Sequence, residues 1–250
     1  MTDPQAPSLP QGMALAWGIV ADPQRGPKRA LTIEQIVDSA IALADAGGLS
    51  AVSMGAVAQS LGYTPMSLYR YVSAKDDLLL LMQDSATGSP PATITRSAAG
   101  GWRAGLGTWA AENLAVYRRH PWILDIPPVG GVSTPQSAAW LDSALGVLSA
   151  VDAPYGAKIS MVLAVMGQVR WQAAVERSYA AAAAASGATP EQIDAGVEHV
   201  MQRLVRPDRF PHLAQAIASG AFTEPGDPFA YGIERVLDGI ESDIAARDTV

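Results

Sequence analysis

Residues 31–82 carry a punctuated helical rhythm, and it limits the chain's folding options more than any other feature. Ile33, Ile36, Val37, Ala40, Ile41 and Ala44 recur at three- and four-residue spacing, which gives one apolar helix face. Thr32 followed by Gln35 is a capping-box start, and Gly47-Gly48 is a stop. Ser53 begins a second, short helix through Ser60, with Val57, Ala58 and Leu61 facing inward, and Gly62 breaks it. Thr64-Pro65 starts a third, because proline at the first helical position loses no needed hydrogen bond; it is expected over residues 65–72. Ser73, with Asp76 three residues on, caps a fourth that contains Leu78 to Met82. Two short helices joined at a glycine turn, behind a longer one, spell a helix-turn-helix.

The rest of the chain is also helical in pattern. Helices are expected over 102–120, 136–151, 154–185, 190–206, 211–219 and 229–246, with six consecutive alanines supporting the long third segment of this series rather than a linker. Residues 86–101 are expected as a loop or an interrupted helix end and as the hinge between domains, and residues 127–131 as a loop. Residues 1–30, rich in Pro, Gly and Gln, are expected as a flexible arm ending in the positive cluster Arg25, Lys28 and Arg29. No strand-like alternation is present, so the fold class is all-α. The domains are 1–30 (arm), 31–86 (helix-turn-helix) and 98–250 (a helical C-terminal domain).

Composition removes several function classes. There is no cysteine, which excludes disulfide scaffolds, Cys-zinc sites and cysteine nucleophiles. The three histidines, His120, His199 and His212, form no ligand-spaced cluster, so neither a metal nor any cofactor is expected. The longest apolar run, residues 159–169, is bounded by Lys158 and Arg170 and is too short to span a bilayer. The N-terminus begins with an acid and prolines where a signal peptide needs positive charge. A soluble, cytoplasmic protein with no membrane partner is expected. Net charge is −7, and residues 1–90 hold five Lys/Arg against eight Asp/Glu, so bulk charge gives nucleic-acid binding no support and local placement must carry it.

On the third helix, Leu68, Tyr71 and Val72 fall on one side, with Met66, Ser67 and Arg70 on the other and Tyr69 at the margin. The second helix of such a motif enters the DNA major groove with its early residues at base edges. Thr64, Pro65, Met66 and Ser67 are therefore the candidate base readers. A hydroxyl can bond several bases, and Pro or Met can pack on thymine methyls. Tyr69, Arg70 and Tyr71 have the reach for phosphates, Lys75 adds charge at the start of the fourth helix, and Arg25, Lys28 and Arg29 can track the backbone or the minor groove. The same features also occur in helix pairs that only pack.

The segment 31–82 resembles the DNA-binding domain of the TetR/AcrR family of bacterial transcriptional regulators. The resemblance is carried by Leu61-Gly62, Ser67-Leu68-Tyr69 and Tyr71-Val72-x-x-Lys75, over about 50 contiguous residues. It implies a recognition helix at residues 64–71, with Tyr69, Tyr71 and Lys75 at positions that touch the DNA backbone. One departure stands out. Ser53-Met54-Gly55-Ala56 opens the second helix where many members place Arg or Lys. Ser53 is kept as a DNA-facing candidate, but Gly55 and Ala56 offer no cation.

Tyr117-Arg-Arg-His-Pro-Trp122 and the stretch 227–240 resemble recurrent features of tetracycline-repressor-like C-terminal domains. That resemblance implies a homodimer with a four-helix interface built from the last helix and part of 154–185, on a palindromic double-stranded DNA operator. It also implies a small-molecule effector, apolar or aromatic, that releases the operator. Trp102, Trp109, Tyr117, His120, Trp122, Met161, Met166 and Trp171 are the candidate lining of its pocket; each aromatic taken singly also reads as core, and His120 as a helix C-cap. Glu112, Arg170 and Glu176 face either a pocket or solvent. Two rivals remain at this point: a member that has lost DNA binding, and an all-α enzyme, for which Asp76-Asp77 lacks the third acid of a magnesium motif.

Overall fold

Helix-forming residues dominate the chain, and in the computed structural model every regular element among the described residues is helical. The structure describes residues 9–19, 31–127, 133–223 and 226–247. In chain order the helices are α1 (Gln11–Ala16), α2 (Ile33–Gly47), α3 (Met54–Leu61), α4 (Pro65–Leu68), α5 (Lys75–Thr87), α6 (Thr93–Ser97), α7 (Trp102–Arg119), α8 (Pro135–Val147), α9 (Tyr155–Ser186), α10 (Pro190–Leu204), α11 (Pro211–Ala218) and α12 (Pro228–Arg247). Three short 3-10 turns join them, one of which, Pro121–Asp125, follows α7.

Helices α2 to α5 form the head. Thr32 caps α2 in the expected box, its hydroxyl accepting from the Gln35 amide while Gln35 reaches back to the Thr32 amide. Ile36, Val57, Leu68, Val72 and Leu78 are fully buried between the four helices. Helices α6 to α9 and α12 form the body, where α9 packs along α7 and α12. Arg103 on α7 reaches across to α12, with hydrogen bonds to Glu234, Asp238 and Glu241. Trp109 of α7 is buried edge-on against Trp140 of α8, and its Nε1 donates to the Trp140 carbonyl at 3.0 Å.

The structure corrects the sequence reading in several places. Within the stretch expected as a flexible arm, residues 11–16 form α1, which lies against α5 with Ala14 buried; Gly18 and Ile19 close it with amide bonds back to Leu15 and Ala14. Arg25, Lys28 and Arg29 lie outside the described residues. Helix α4 stops at Leu68 rather than near residue 72, because the Leu68 carbonyl accepts both the Tyr71 and Val72 amides and the chain tightens into a turn. Ser73 does not cap α5: Ala74 holds that position, and the Ser73 hydroxyl donates to Asp77 instead. The expected hinge at 86–101 contains α6, with Ile94 buried against α7 and α8. The helix expected to reach residue 151 ends at Val147.

Replacing Trp109 with alanine removes the largest fully buried side chain of the body. Its expected cost is ~3–5 kcal/mol, a large part of the ~5–15 kcal/mol typical of a whole fold. Urea unfolding followed by circular dichroism measures it, and a loss under about 1 kcal/mol would contradict the packing described.

Candidate nucleic-acid interface

The reading head owes its shape to three local devices. The Ser53 hydroxyl caps α3 by accepting from the Ala56 amide at 3.1 Å. Gly62 ends α3 at φ +76°, a left-handed conformation that a side chain would strain, and so turns the chain sharply. Pro65 then occupies the first position of α4. Leu68 is the inward anchor. Around it Thr64, Pro65 and Arg70 are exposed, Met66 is 72% exposed and Tyr69 47%. Ser67 is half-buried, its hydroxyl 3.0 Å from that of Thr64. Ser53, Gly55 and Lys75 are exposed on the flanking helices. Tyr71 is the exception among the candidates. Only 8% of it is exposed, since it follows the buried side of the turn with Leu68 and Val72, so it packs rather than presents itself.

The eight residues expected to line one effector pocket are spread over several environments. Trp109 and Met161 are core. Trp102 and Met166 are half-buried against it. Trp171 points outward, 67% exposed on α9. His120 and Trp122 meet the head: Trp122 Nε1 donates to Asp45 Oδ1 on α2 at 2.7 Å, and His120 Nδ1 lies 2.9 Å from the same oxygen. Asp45 is a functional candidate that sequence reasoning missed, because nothing local marks a contact 75 residues away.

Tyr117 alone of the eight borders a described cavity. This is a half-open groove of about 170 Å³ between α7 and α9, shared with Arg118, Pro121, Ala173, Glu176 and Arg177. Its lining is mostly apolar, with three charged residues among it. Arg118 donates twice to Glu176, at 2.7 Å each, and Arg177 donates to the Pro121 carbonyl and to Asp125. Arg170 donates to the Tyr117 hydroxyl at 3.0 Å. Glu112 is turned away, accepting from Thr93. The Arg118 guanidinium holds the Glu176 carboxyl below the usual glutamate range.

Comparison with known proteins agrees with this architecture. Residues 36–82 match the model for bacterial regulatory proteins of the tetR family, and residues 96–244 match the tetracyclin repressor-like C-terminal domain. The chain belongs to the TetR family. This TetR-family chain is 32% identical over 235 residues to the HTH-type transcriptional repressor DrrR1 of Streptomyces coeruleorubidus, covering 94% of the chain and 86% of that protein. It is 26% identical over 222 residues to the HTH-type transcriptional repressor Rv1353c of Mycobacterium tuberculosis, covering 86% and 82% of the two. Among solved structures, ActR of Streptomyces coelicolor in complex with actinorhodin shares the fold at TM-score 0.66 and 21% identity, covering 86% of this chain and 98% of that one. ActR has also been solved with (S)-DNPA. The TetR-family chain is thus a helix-turn-helix DNA-binding transcriptional regulator and not an enzyme. Among its described residues no helix is long and apolar enough to cross a membrane.

The groove makes a pH-dependent statement. Glu176 is more acidic folded than unfolded, so its pair with Arg118 stabilises fully above the unfolded value of ~4.3 and is lost as pH falls through the lower folded value. In a carbon-detected titration the Glu176 carboxyl is expected to titrate below the usual glutamate range. Arg118→Ala is expected to return it towards that range; a midpoint that does not move would show that the pair is not formed.

Proposed function

We propose that the chain is a homodimeric repressor that holds a palindromic operator and releases it when a small apolar or aromatic molecule enters the body. One observation carries the DNA part: Leu68 fixes α4 from beneath, while Thr64, Pro65, Met66, Tyr69 and Arg70 stay exposed around it. In this reading Thr64, Pro65, Met66 and Ser67 meet base edges. Ser53, Tyr69, Arg70 and Lys75 meet phosphates, as do Arg25, Lys28 and Arg29 ahead of the head. Tyr71 supports α4 from the core.

The dimer reading rests on an outward stripe of α9. Ile159, Leu163 and Trp171 are exposed there at helical spacing, Leu163 by 64%, with Tyr231 exposed on the neighbouring α12. Two copies joined on these helices bury the four side chains and present two α4 helices to successive major grooves, about 34–36 Å apart. The groove by Tyr117 is the proposed entry for the effector. Its floor, Pro121, begins the turn whose Trp122 holds Asp45 of the head, so occupancy there bears directly on the position of α2. ActR, solved with actinorhodin, supports an aromatic effector by analogy of fold. Such a regulator works in the cytoplasm, where the operator is.

Selection from a random duplex library with the purified protein tests this reading, and an enriched inverted repeat is the expected result. No enrichment from a folded dimer would favour the rival, a member that has lost DNA binding, for which the missing cations at Gly55 and Ala56 speak. On the selected duplex, Lys75→Ala is expected to weaken binding to all sequences alike and to flatten the salt dependence by ~0.9 log unit per phosphate contact removed. Thr64→Val is expected to relax the choice at one base position by about 1–3 kcal/mol.

Gly55 is exposed, and a side chain there would approach only the Ser53 hydroxyl, at 3.8 Å. Gly55→Arg is therefore expected to tighten binding and steepen the salt slope; fluorescence anisotropy across a salt series reads both. Leu163→Glu is expected to halve the mass seen by sedimentation, and an unchanged mass would place the dimer face elsewhere.

A further inference from the structure

Helix α1 takes no part in the reading above, yet three contacts hold it in place. The Gly12 amide donates to Asp77 Oδ1 on α5 at 2.7 Å. The other oxygen of the same carboxylate accepts the Ser73 hydroxyl at 2.7 Å. One aspartate thus joins α1 to the turn that leads, two residues later, into Lys75. Ala14 is buried and Leu15 and Ala16 pack against the common core. At the far end of α1, Trp17 Nε1 donates to the Ser133 carbonyl at 3.2 Å, one residue before the cap of α8.

The first contact admits only glycine. A Cβ on residue 12 would lie 2.8 Å from the Asp77 Cα, which is backbone and cannot swing aside. A single methyl group therefore lifts α1 from α5 and leaves every residue of the head unchanged.

These contacts close a frame. The start of α5 is tied through α1 to the loop ahead of α8. The end of α5 is tied to α8 itself, where Asp84 accepts the Gln136 amide and Trp140 Nε1 donates to the Gly88 carbonyl, both at 2.8 Å. Helix α5, 13 residues long, is therefore held at both ends against one partner. At ~1.5 Å per residue it is about 20 Å long, so a tilt of roughly 10° moves its DNA end by ~3.4 Å, the rise of one base pair.

We propose that α1 is a brace that fixes the tilt of α5 against the C-terminal domain, with Asp77 as the positioning residue that passes this constraint to the turn before Lys75. The brace thereby sets the half-site spacing the protein accepts. The inference rests on reading α4 and Lys75 as the DNA-facing surface.

The test uses the full chain and the selected inverted repeat, alongside the same duplex with its half-sites one base pair closer or farther apart. The unaltered protein is expected to lose at least about tenfold in affinity on either changed spacing, equivalent to ~1.4 kcal/mol. Gly12→Ala, Asp77→Asn and Trp17→Phe are each expected to shrink that difference to about threefold, ~0.65 kcal/mol, which a general loss of stability would not do. Lys75→Ala is the contrast: it weakens all three duplexes alike and keeps the discrimination. Trp17→Phe removes the Nε1 hydrogen bond and part of a ring that is already 44% exposed, and it decides the matter if Gly12→Ala does not fold. If Lys75→Ala and Thr64→Val leave binding unchanged, the reading of α4 fails and the brace with it. If those two weaken binding while Trp17→Phe and Asp77→Asn keep full spacing discrimination, the brace alone is overturned.

Discussion

Leu78 and Met82 of α5 are fully buried in the head, and within one further turn Asp84 of the same helix accepts an amide from α8 in the body. No flexible linker separates the two regions at this point; one continuous helix serves both. Because protein interiors are close-packed, a displacement in the body cannot be absorbed by compressing the helix and must appear as movement of its other end. The placement of Lys75, of the turn behind it and of α4 follows from how α5 is seated.

The second junction works differently. Asp45 sits at the end of α2 and accepts from Trp122, with His120 beside the same oxygen. A carboxylate placed at the C-terminal end of a helix is on the unfavourable side of the helix dipole. Donors from the body offset this only while the Pro121–Asp125 turn stays in place. At this junction α2 meets the body through polar contacts whose geometry is strict, whereas α5 joins it through the Asp84 and Gly88 hydrogen bonds backed by its own packing on α8. A conformational change that rotates the head can break the former and preserve the latter, which makes the Asp45 contact the more sensitive of the two to events in the groove at Tyr117.

The head was legible in the sequence because its determinants are local. The Thr32 and Ser53 caps, the Gly62 turn and Pro65 act within four residues of where they stand, and the helices they begin start where the pattern put them, although α4 ends at Leu68 and not near residue 72. The early end of α4 and the lost Ser73 cap are local competitions for one hydrogen bond; the larger misses share one physical origin, burial supplied from a distance. Helix α1 is six residues long and could not persist alone; it exists because α5 covers Ala14. Helix α6 likewise depends on α7 and α8 around Ile94. Tyr71 had two conflicting signals, an inward position on the helical wheel and a family position that touches DNA, and its burial agrees with the wheel. The aromatic residues of the body were the least legible. Composition cannot say that Trp109 spends its N–H on Trp140, that Trp122 spends its own on Asp45, or that Trp171 faces out.

An acidic protein that binds a polyanion raises an electrostatic question, and distance answers it. With a net charge of −7, the chain as a whole repels DNA. At physiological salt, however, a charge is largely screened beyond ~8 Å. Much of the acid lies on the body, as with Glu234, Asp238 and Glu241 of α12 gathered around Arg103 of α7. Two acids of the head have their oxygens directed inward, Asp77 onto Ser73 and Gly12 and Asp45 onto Trp122, though these neutral donors leave their charge in place. The proposed DNA-facing surface offers Arg70 and Lys75 beside the exposed Asp76, uncharged hydroxyls and Met66, with Arg25, Lys28 and Arg29 as further cations in that reading. On that reading a field that is weakly repulsive farther out slows non-specific capture, and affinity rests on how well the heads of the proposed dimer fit their grooves.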